Sequence, residues 1–158
     1  MTVITVNTRK DGLSRDQRRT LAETLTDAVL VPEIGRFVPA ARAGFQVHFV
    51  EREPDMIAIG GRLLADAGPG LDAMVIDVAV MDADWRPDVR AEVIERVLAA
   101  MAEACGVDEP SPAWWVNFRV IGEGSWGSSG GVLSILSLLD SGVFTEEKAK
   151  AIRAAIGG

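Results

Sequence analysis

Two stretches of the chain share one pattern of alternating apolar and polar positions. Phe45 to Gly61 (FQVHFVEREPDMIAIGG) and Trp114 to Gly131 (WWVNFRVIGEGSWGSSGG) each begin with alternating large apolar residues, pass through a polar loop and end on a Gly-Gly pair. This alternation is typical of a half-buried β-strand. Residues 3–6 (VITV) and 75–78 (VIDV) extend the match upstream. The pattern therefore indicates an internal repeat of a strand, helix, strand unit.

The helix of each unit is marked by its first and last residues. Ser14 and Gln17 have the S-x-x-Q form of a capping box, and an apolar stripe follows at helical spacing: Leu21, Leu25, Ala28 and Val29. We predict an amphipathic helix of about four turns that stops before Pro32. In the second unit, Pro87 is expected to open the helix and Gly106 to cap it.

The strands are expected at Thr2 to Asn7, Phe45 to Val50, Met74 to Met81 and Trp114 to Ile121. Two parallel strands joined through a helix need a right-handed crossover. Duplication of that unit gives an α/β (α+β) fold, in which two fused β-α-β repeats form a four-stranded mixed sheet with two helices on one face. The other sheet face is predicted to be apolar and uncovered, which favours a symmetric homo-oligomer.

The length of 158 residues fits one compact domain. We predict a single domain over residues 1–158, with repeats at about 1–66 and 73–131 and a C-terminal extension at 132–158. The segment from Arg62 to Asp72, which contains Gly68-Pro69-Gly70, is the expected link between the repeats. In the extension, Val132 to Leu139 is apolar enough to be buried, and Thr145 to Ile156 is expected to form a short helix before Gly157-Gly158.

Charge and composition argue against several classes of function. A net charge of −7 disfavours binding to nucleic acid, which requires a basic face. No apolar run reaches the ~18 residues that cross a bilayer, so we expect a soluble, cytoplasmic protein with no membrane partner. One cysteine, Cys105, and one histidine allow no internal disulfide and make a poor zinc donor set. We expect neither a metal nor a cofactor.

The motifs resemble those of a known family. Residues 50–61 (VEREPDMIAIGG) resemble the E-M-x-x-x-x-F-x-I-G-G segment of 4-oxalocrotonate tautomerase, and residues 12–21 (GLSRDQRRTL) resemble the entry to its first helix. The doubled length and the QVHF and WVNF strands are similar to the fused members of the tautomerase superfamily, such as the cis-3-chloroacrylic acid dehalogenases. The resemblance covers nearly all of the chain through Gly131. It implies the tautomerase fold, a homotrimer and proton transfer on a small oxo or enol acid.

The chemistry of this family uses an amino-terminal proline that is exposed when the initiator methionine is removed. Its secondary amine lies in an apolar pocket and acts as general base or acid. The matching position here is Thr2, which would present a primary amine after removal of Met1. If Met1 stays, the reactive nitrogen moves outward by one residue, about 3.8 Å. Thr2 is the candidate catalytic residue that the resemblance implies.

The family's other active-site residues are replaced as well. The positions that match its carboxylate-binding arginines, helix histidine, strand tyrosine and late glutamate hold Leu13, Gln46, Asp82, Trp85, Val29, Asn117 and Ser128. Arg86 is one residue from an arginine position. Bidentate recognition of a carboxylate depends on such placement, so any replacement has to come from nearby, as from Arg86, Arg36, Arg42 or Arg119.

Two functions remain open at this point. In the first, the protein transfers a proton with its terminal amine as base, and the candidate substrate-binding residues are Gln46, His48, Arg86, Trp115 and Asn117. In the second, it is a non-catalytic binding or structural trimer that has lost the catalytic proline and arginines. His48 is either a general base or a strand histidine bonded to a neighbour. Gln46 and Asn117 either line a pocket or form hydrogen bonds across a subunit boundary.

Overall fold

The computed structural model describes residues 1–68 and 70–157, so Pro69 of the expected link and Gly158 lie outside the described residues. In chain order, the strands and helices are β1 (Thr2–Arg9), α1 (Arg15–Ile34), β2 (Phe45–Arg52), β3 (Ala58–Ile59), β4 (Arg62–Leu63), β5 (Met74–Met81), α2 (Pro87–Cys105), β6 (Trp114–Ile121), β7 (Gly127–Ser128), β8 (Gly131–Val132), α3 (Ile135–Leu139) and α4 (Glu146–Ile156). Short 3₁₀ helices lie at Pro39–Gly44, Pro54–Met56 and Leu64–Asp66.

The four long strands form one mixed sheet in the order β2-β1-β5-β6. β1 is parallel to β2, β5 is parallel to β6, and the central pair β1 and β5 is antiparallel. Alternate residues of β1 and β5 are buried against α1 and α2 in one core. The structure confirms the expected fold class, with two fused β-α-β repeats, a four-stranded mixed sheet and two helices on one face.

The central antiparallel pair determines which loops meet at each end of the sheet. Thr2 at the start of β1 lies opposite Val80 near the end of β5. The N–H of Met81 donates to the carbonyl of Met1 at 3.1 Å. Because β1 begins where β5 ends, the amino terminus and the loop at residues 82–86 lie at the same end of the molecule.

Helix α1 begins at the expected capping box but ends later than predicted. Ser14 Oγ accepts from the N–H of Gln17 at 3.2 Å, and Gln17 Oε1 accepts from the N–H of Ser14 at 2.7 Å. The predicted end before Pro32 is wrong, because the helix continues to Ile34 and is capped by Gly35 at φ 83°. A proline so near the end removes one helical hydrogen bond, and burial of Pro32 and Ile34 offsets that loss.

Replacing Ser14 with alanine is expected to lower the free energy of unfolding by about 1 kcal/mol, because the capping hydrogen bond that its hydroxyl accepts is lost and the box is left incomplete. The measurement is urea unfolding followed by circular dichroism. Ser14→Thr is the matched control, since threonine retains a capping hydroxyl. Equal stability of the alanine variant and the parent would show that the box contributes nothing to folding.

Both Gly-Gly motifs mark short hairpins. The predicted hairpin after Met56 is present, with Gly60 and Gly61 at its turn rather than at its end, and both have positive φ (59° and 81°). In the second repeat, Ser129 and Gly130 occupy the turn between β7 and β8, also with positive φ. Two consecutive residues with positive φ match the twist of a tight hairpin, which explains why glycine recurs there.

The sheet face opposite the helices is mixed rather than apolar, which corrects the sequence prediction. Val3 and Val75 lie on it, half-buried, together with a polar row that crosses three strands. Asn7 Nδ2 donates to Asp77 Oδ2 at 3.0 Å, and Asn117 Nδ2 donates to Asp77 Oδ1 at 3.1 Å. We call this surface the open face.

The C-terminal extension lies against its own chain. Its buried side chains belong to the same core as α1 and α2: Ile135, Leu139, Phe144 and Ile152. The N–H of Thr145, which caps α4, donates to the carbonyl of Ile34 at 3.0 Å. The helix expected near the carboxyl end is confirmed. Burial of the whole stretch from Val132 is not, because Val132 belongs to the exposed β7–β8 hairpin.

Candidate functional site

A cavity of about 630 Å³ lies at the end of the sheet where β1 begins. Its mostly apolar walls come from Met1, the end of α1, the segment at 38–45 and the segment at 138–144. The C-terminal extension therefore forms one side of the cavity. The end of α1 forms another side. The shape of the cavity therefore depends on how the extension packs against α1.

The structure places the amino end of β1 at this cavity. Met1 lines the cavity, and its nitrogen lies 4.0 Å from Glu33 Oε1. Thr2, the predicted catalytic residue, is buried, and its Oγ1 has no hydrogen-bond partner among the described residues. The amine lies at the cavity wall with Met1 in place, and removal of Met1 would transfer it to the buried Thr2.

The cavity also contains a carboxyl that the sequence patterns did not single out. Glu33 lies in the last turn of α1 and is only 4% exposed. Burial raises the pKa of its carboxyl to about 7, although the Met1 amine, Lys148 and, more weakly, the Thr2 hydroxyl favour the ionised form. Thr2 makes no well-formed hydrogen bond to it. At neutral pH, both protonation states of Glu33 are populated, as proton transfer requires.

Asp84, in the loop after β5, connects that loop to the extension. It is buried and accepts from Arg86 Nε at 2.8 Å, Arg86 Nη2 at 3.1 Å and Lys148 Nζ at 3.2 Å. Arg86, a predicted substrate-binding residue, thus lies at the same end of the sheet as the cavity without lining it. Its guanidinium is bonded to Asp84 rather than free for a ligand.

Arg36 is the cationic side chain that lines the cavity among the described residues. Its Nη2 donates to the carbonyl of Gly142 at 2.8 Å, and its Nε donates to the carbonyl of Val143 at 3.2 Å. The residue therefore fastens the extension to the end of α1. Arg42, also considered as a replacement, pairs with Asp27 at 2.6 Å and is not among the lining residues.

Gln46 and His48 lie side by side on the open face of β2. His48 Nε2 is 3.0 Å from Gln46 Oε1, and both side chains are exposed. They pair in register with Val3 and Thr5, near the amino end of β1, but on the side of the sheet away from α1. Neither lines the cavity. Of the two interpretations of His48, the structure shows the one in which a strand histidine is hydrogen-bonded to a neighbouring side chain.

Asn117 and Trp115 lie on β6, at the other edge of the sheet. Asn117, with Asp77 and Arg119, borders a smaller pocket of about 320 Å³ on the open face. Trp115 is 63% exposed, and its indole N–H donates to the carbonyl of Pro112 at 3.2 Å. Within one chain, the structure brings Gln46 and His48 together but separates them from Asn117 and Trp115 at the other edge of the sheet.

Within residues 1–68 and 70–157, no group of three or more His, Cys, Asp or Glu side chains is arranged to hold a metal ion. In the same ranges, no helix is long and apolar enough to cross a membrane. Cys105 ends α2 half-buried, and burial, assisted by Asp72, raises the pKa of its thiol. A thiol in such surroundings is protonated and poorly reactive.

No protein-family model and no curated protein sequence matches the chain, but solved structures do. A member of the cis-3-chloroacrylic acid dehalogenase (cis-CaaD) family has a TM-score of 0.69 and 16% identity, covering 96% of this chain and 99% of that one. A fused 4-OT, solved as a symmetric trimer, has a TM-score of 0.67 and 20% identity, covering 86% and 98%. MIF2 of Leishmania major has a TM-score of 0.59 and 17% identity, covering 84% and 97%.

These similarities show that the chain shares the fold of these proteins, which in this chain is two β-α-β repeats on one mixed sheet. This fold is the tautomerase fold that the sequence motifs implied. At such identities, the similarity is one of fold, and the function has to be argued from the site.

The sequence patterns did not single out two residues of the cavity region, Glu33 and Lys148, whereas Arg36 was already among the candidate arginines. Glu33 lies beyond the predicted end of the first helix at Pro32, and Lys148 lies in the short helix expected at Thr145 to Ile156, to which no role was assigned. A signal for Glu33 was present, because it continues the spacing of four that joins Leu21, Leu25 and Val29. An acidic residue on the buried stripe of a helix is a candidate for a site.

Proposed function

We propose that this protein transfers a proton on a small oxo or enol acid, by keto-enol tautomerisation or a related hydration or dehalogenation, with the amine at the start of β1 as the base. The position of that nitrogen supports the proposal, because it lies at an apolar cavity, 4.0 Å from a buried carboxyl. Apolar walls exclude water from a bound substrate. The fold shared with a cis-CaaD family member and a fused 4-OT is consistent with this chemistry.

The substrate's carboxylate would be held by residues other than those at the family's arginine positions. Arg36 is our candidate, because it lines the cavity and its two hydrogen bonds to the extension use Nε and Nη2 but not Nη1. We retain Gln46, His48, Trp115 and Asn117 as substrate-binding candidates only across a subunit boundary, since all four lie on the open face.

We further propose that the chain forms a homotrimer through the open face. Three fused 4-OT structures are described as trimers, and the polar row on the open face offers donors and acceptors to a neighbouring copy. Light scattering should then report three times the chain mass of 16.9 kDa. A mass equal to one chain at micromolar concentration would reject the trimer and, with it, any shared role of Gln46 and Asn117.

The base is tested by changing the amine. Mass spectrometry of the intact protein shows whether Met1 or Thr2 carries it. Proton NMR then follows deuterium exchange at C3 of 2-oxobutanoate in D₂O, for the native protein, the protein with its terminal amine acetylated and a Thr2→Pro variant lacking Met1. We expect exchange in the native protein that acetylation abolishes. Exchange that survives full acetylation would eliminate the amine as base.

A second function is favoured by one specific observation. Two guanidinium groups at the same end of the sheet as the amino terminus are already used in the fold, Arg86 by Asp84 and Arg36 by the extension. This arrangement suits a non-catalytic small-molecule-binding or structural trimer that has lost the catalytic proline and arginines. If Thr2→Pro gains exchange activity while the native protein shows none above buffer, the native protein is such a scaffold.

A further inference from the structure

We infer that Glu33 is a catalytic residue of the cavity, whose carboxyl exchanges a proton with the carbonyl or enol oxygen of the substrate. The inference rests on the proposed function, because the amine at β1 is taken to move the proton on carbon. It adds a second proton-transfer group to the site.

The position of Glu33 is fixed by the fold. It is the acidic side chain among the residues that line the cavity, and it lies in the last turn of α1 on the buried side of that helix. The end of this helix is closely packed, because a Cβ added at Gly35 would lie 2.7 Å from Thr145 Oγ1 of the extension. The carboxyl is therefore held between α1, β1 and α4 rather than on a mobile loop.

Glu33 has no short ion pair and no well-formed hydrogen bond among the described residues that would account for its burial. Buried carboxylates are normally paired or hydrogen-bonded. Among the described residues, the amine of Met1 is the cation that pairs with Glu33, and it lies 4.0 Å from Oε1. Lys148 is bonded to Asp84 instead, at 3.2 Å. The neighbouring Thr2 hydroxyl is buried and also lacks a partner. Glu33 lines the cavity, so a ligand bound there is expected to supply the hydrogen bond that its carboxyl lacks, whereas Thr2 is not among the lining residues.

The proton balance closes without any additional reactant. In the keto-to-enol direction, the amine accepts the proton from the carbon next to the carbonyl, and the carbonyl oxygen takes the proton of neutral Glu33. The C–H bond breaks, a C=C bond forms, and the protein is left with an ammonium and a carboxylate. The reverse direction returns the ammonium proton to carbon and the enol O–H proton to Glu33. Because its pKa is about 7, Glu33 serves in both directions at neutral pH.

The charged groups around Glu33 favour this exchange. The amine at Met1 faces it from β1, Lys148 faces it from α4 with Asp84 behind it, and Arg36 lines the same cavity. Formation of an ammonium stabilises the carboxylate produced in the same step, since opposite charges at short separation attract strongly away from water. Proton movement at the two groups is therefore coupled.

The test compares Glu33→Gln with Glu23→Gln, a change of the same type at an exposed position of the same helix. Exchange at C3 of 2-oxobutanoate in D₂O is measured from pH 5 to 9. We expect kcat to fall about 100-fold or more in Glu33→Gln, with KM nearly unchanged. The change of kcat with pH near 7, which we call the pH limb, should be absent in this variant. Glu33→Asp keeps a carboxyl and should retain that limb at a reduced rate. Glu23→Gln should match the parent.

The outcomes separate this inference from the proposed function. If the parent exchanges deuterium and Glu33→Gln does so equally, with the same pH limb, the role of Glu33 is overturned and the amine mechanism stays in place. A parent that exchanges no faster than buffer overturns both. If Glu33→Gln does not fold by circular dichroism, Glu33→Asp decides, because loss of the limb in a folded aspartate variant also rejects the inference.

Discussion

Replacing Glu33 with glutamine is expected to raise the free energy of unfolding by about 3 kcal/mol above pH 7. A solvated glutamate carboxyl has a pKa of 4.5, whereas burial in the folded protein raises the pKa of Glu33 to about 7, so the folded protein binds more protons than the unfolded chain between these values. The contribution of the Glu33 proton to the free energy of unfolding is complete below pH 4.5 and is lost as the pH rises through 7. Glutamine does not ionise, so the variant avoids this loss.

Urea unfolding of parent and variant at pH 4.5, 6 and 8 measures the effect. The two proteins should be nearly equal at pH 4.5 and diverge as the pH rises. Glu23→Gln is the control, and its difference from the parent should stay within about 0.5 kcal/mol at every pH, because an exposed carboxyl is solvated in both states. Equal stabilities of parent and Glu33→Gln at pH 8 would mean that water reaches the carboxyl freely.

A gain in stability together with a loss of activity is the pattern expected of a functional residue. A buried carboxyl that is half-ionised at neutral pH destabilises the fold, and a residue with only a structural role has no reason to be kept in that state. The stability and activity measurements on Glu33→Gln therefore address one question from two sides. A destabilised variant would instead identify Glu33 as a structural residue.

The fold was predictable because its signals are local. β5 and β6 were predicted with the bounds that the structure shows, since alternating apolar residues and flanking turn residues define both. Ser14 and Gly106 mark the expected helix ends. The error at Pro32 came from treating proline as an absolute stop, although its effect depends on how many helical bonds follow it.

The site was harder to predict because its parts are distant in sequence. Asp84 and Lys148 are 64 residues apart and have no shared motif. The candidates Gln46 and Asn117 came from family positions on strands, and His48 came from the strand face that it shares with Gln46. A strand position says which face a residue occupies but not which cavity it borders. Glu33 could have been found, since an acidic residue on an apolar helical stripe is visible in the sequence.

Replacing Asp84 with alanine is expected to destabilise the protein by about 3 kcal/mol. Asp84 is 5% exposed, and Lys148 has a side-chain exposure of 15%, so truncation leaves a largely buried ammonium without its partner. Arg86 contributes less to the loss, since its side chain is 60% exposed and can be solvated. The measurement is urea unfolding at pH 7.

The double variant Asp84→Ala with Lys148→Met provides the control, because it removes the unpaired ammonium and keeps an apolar side chain of similar length. The double variant should lose at least about 1 kcal/mol less free energy of unfolding than the sum of the losses in the two single variants, as coupled pairs do. Relative to the parent, Asp84→Ala should also increase the rate of amide hydrogen exchange more in α4 than in β1 or β5. Since the segment that precedes α4 forms a wall of the cavity, this loosening links the ion pair to the site. Additive effects of the two substitutions would show that the pair does not hold the extension in place.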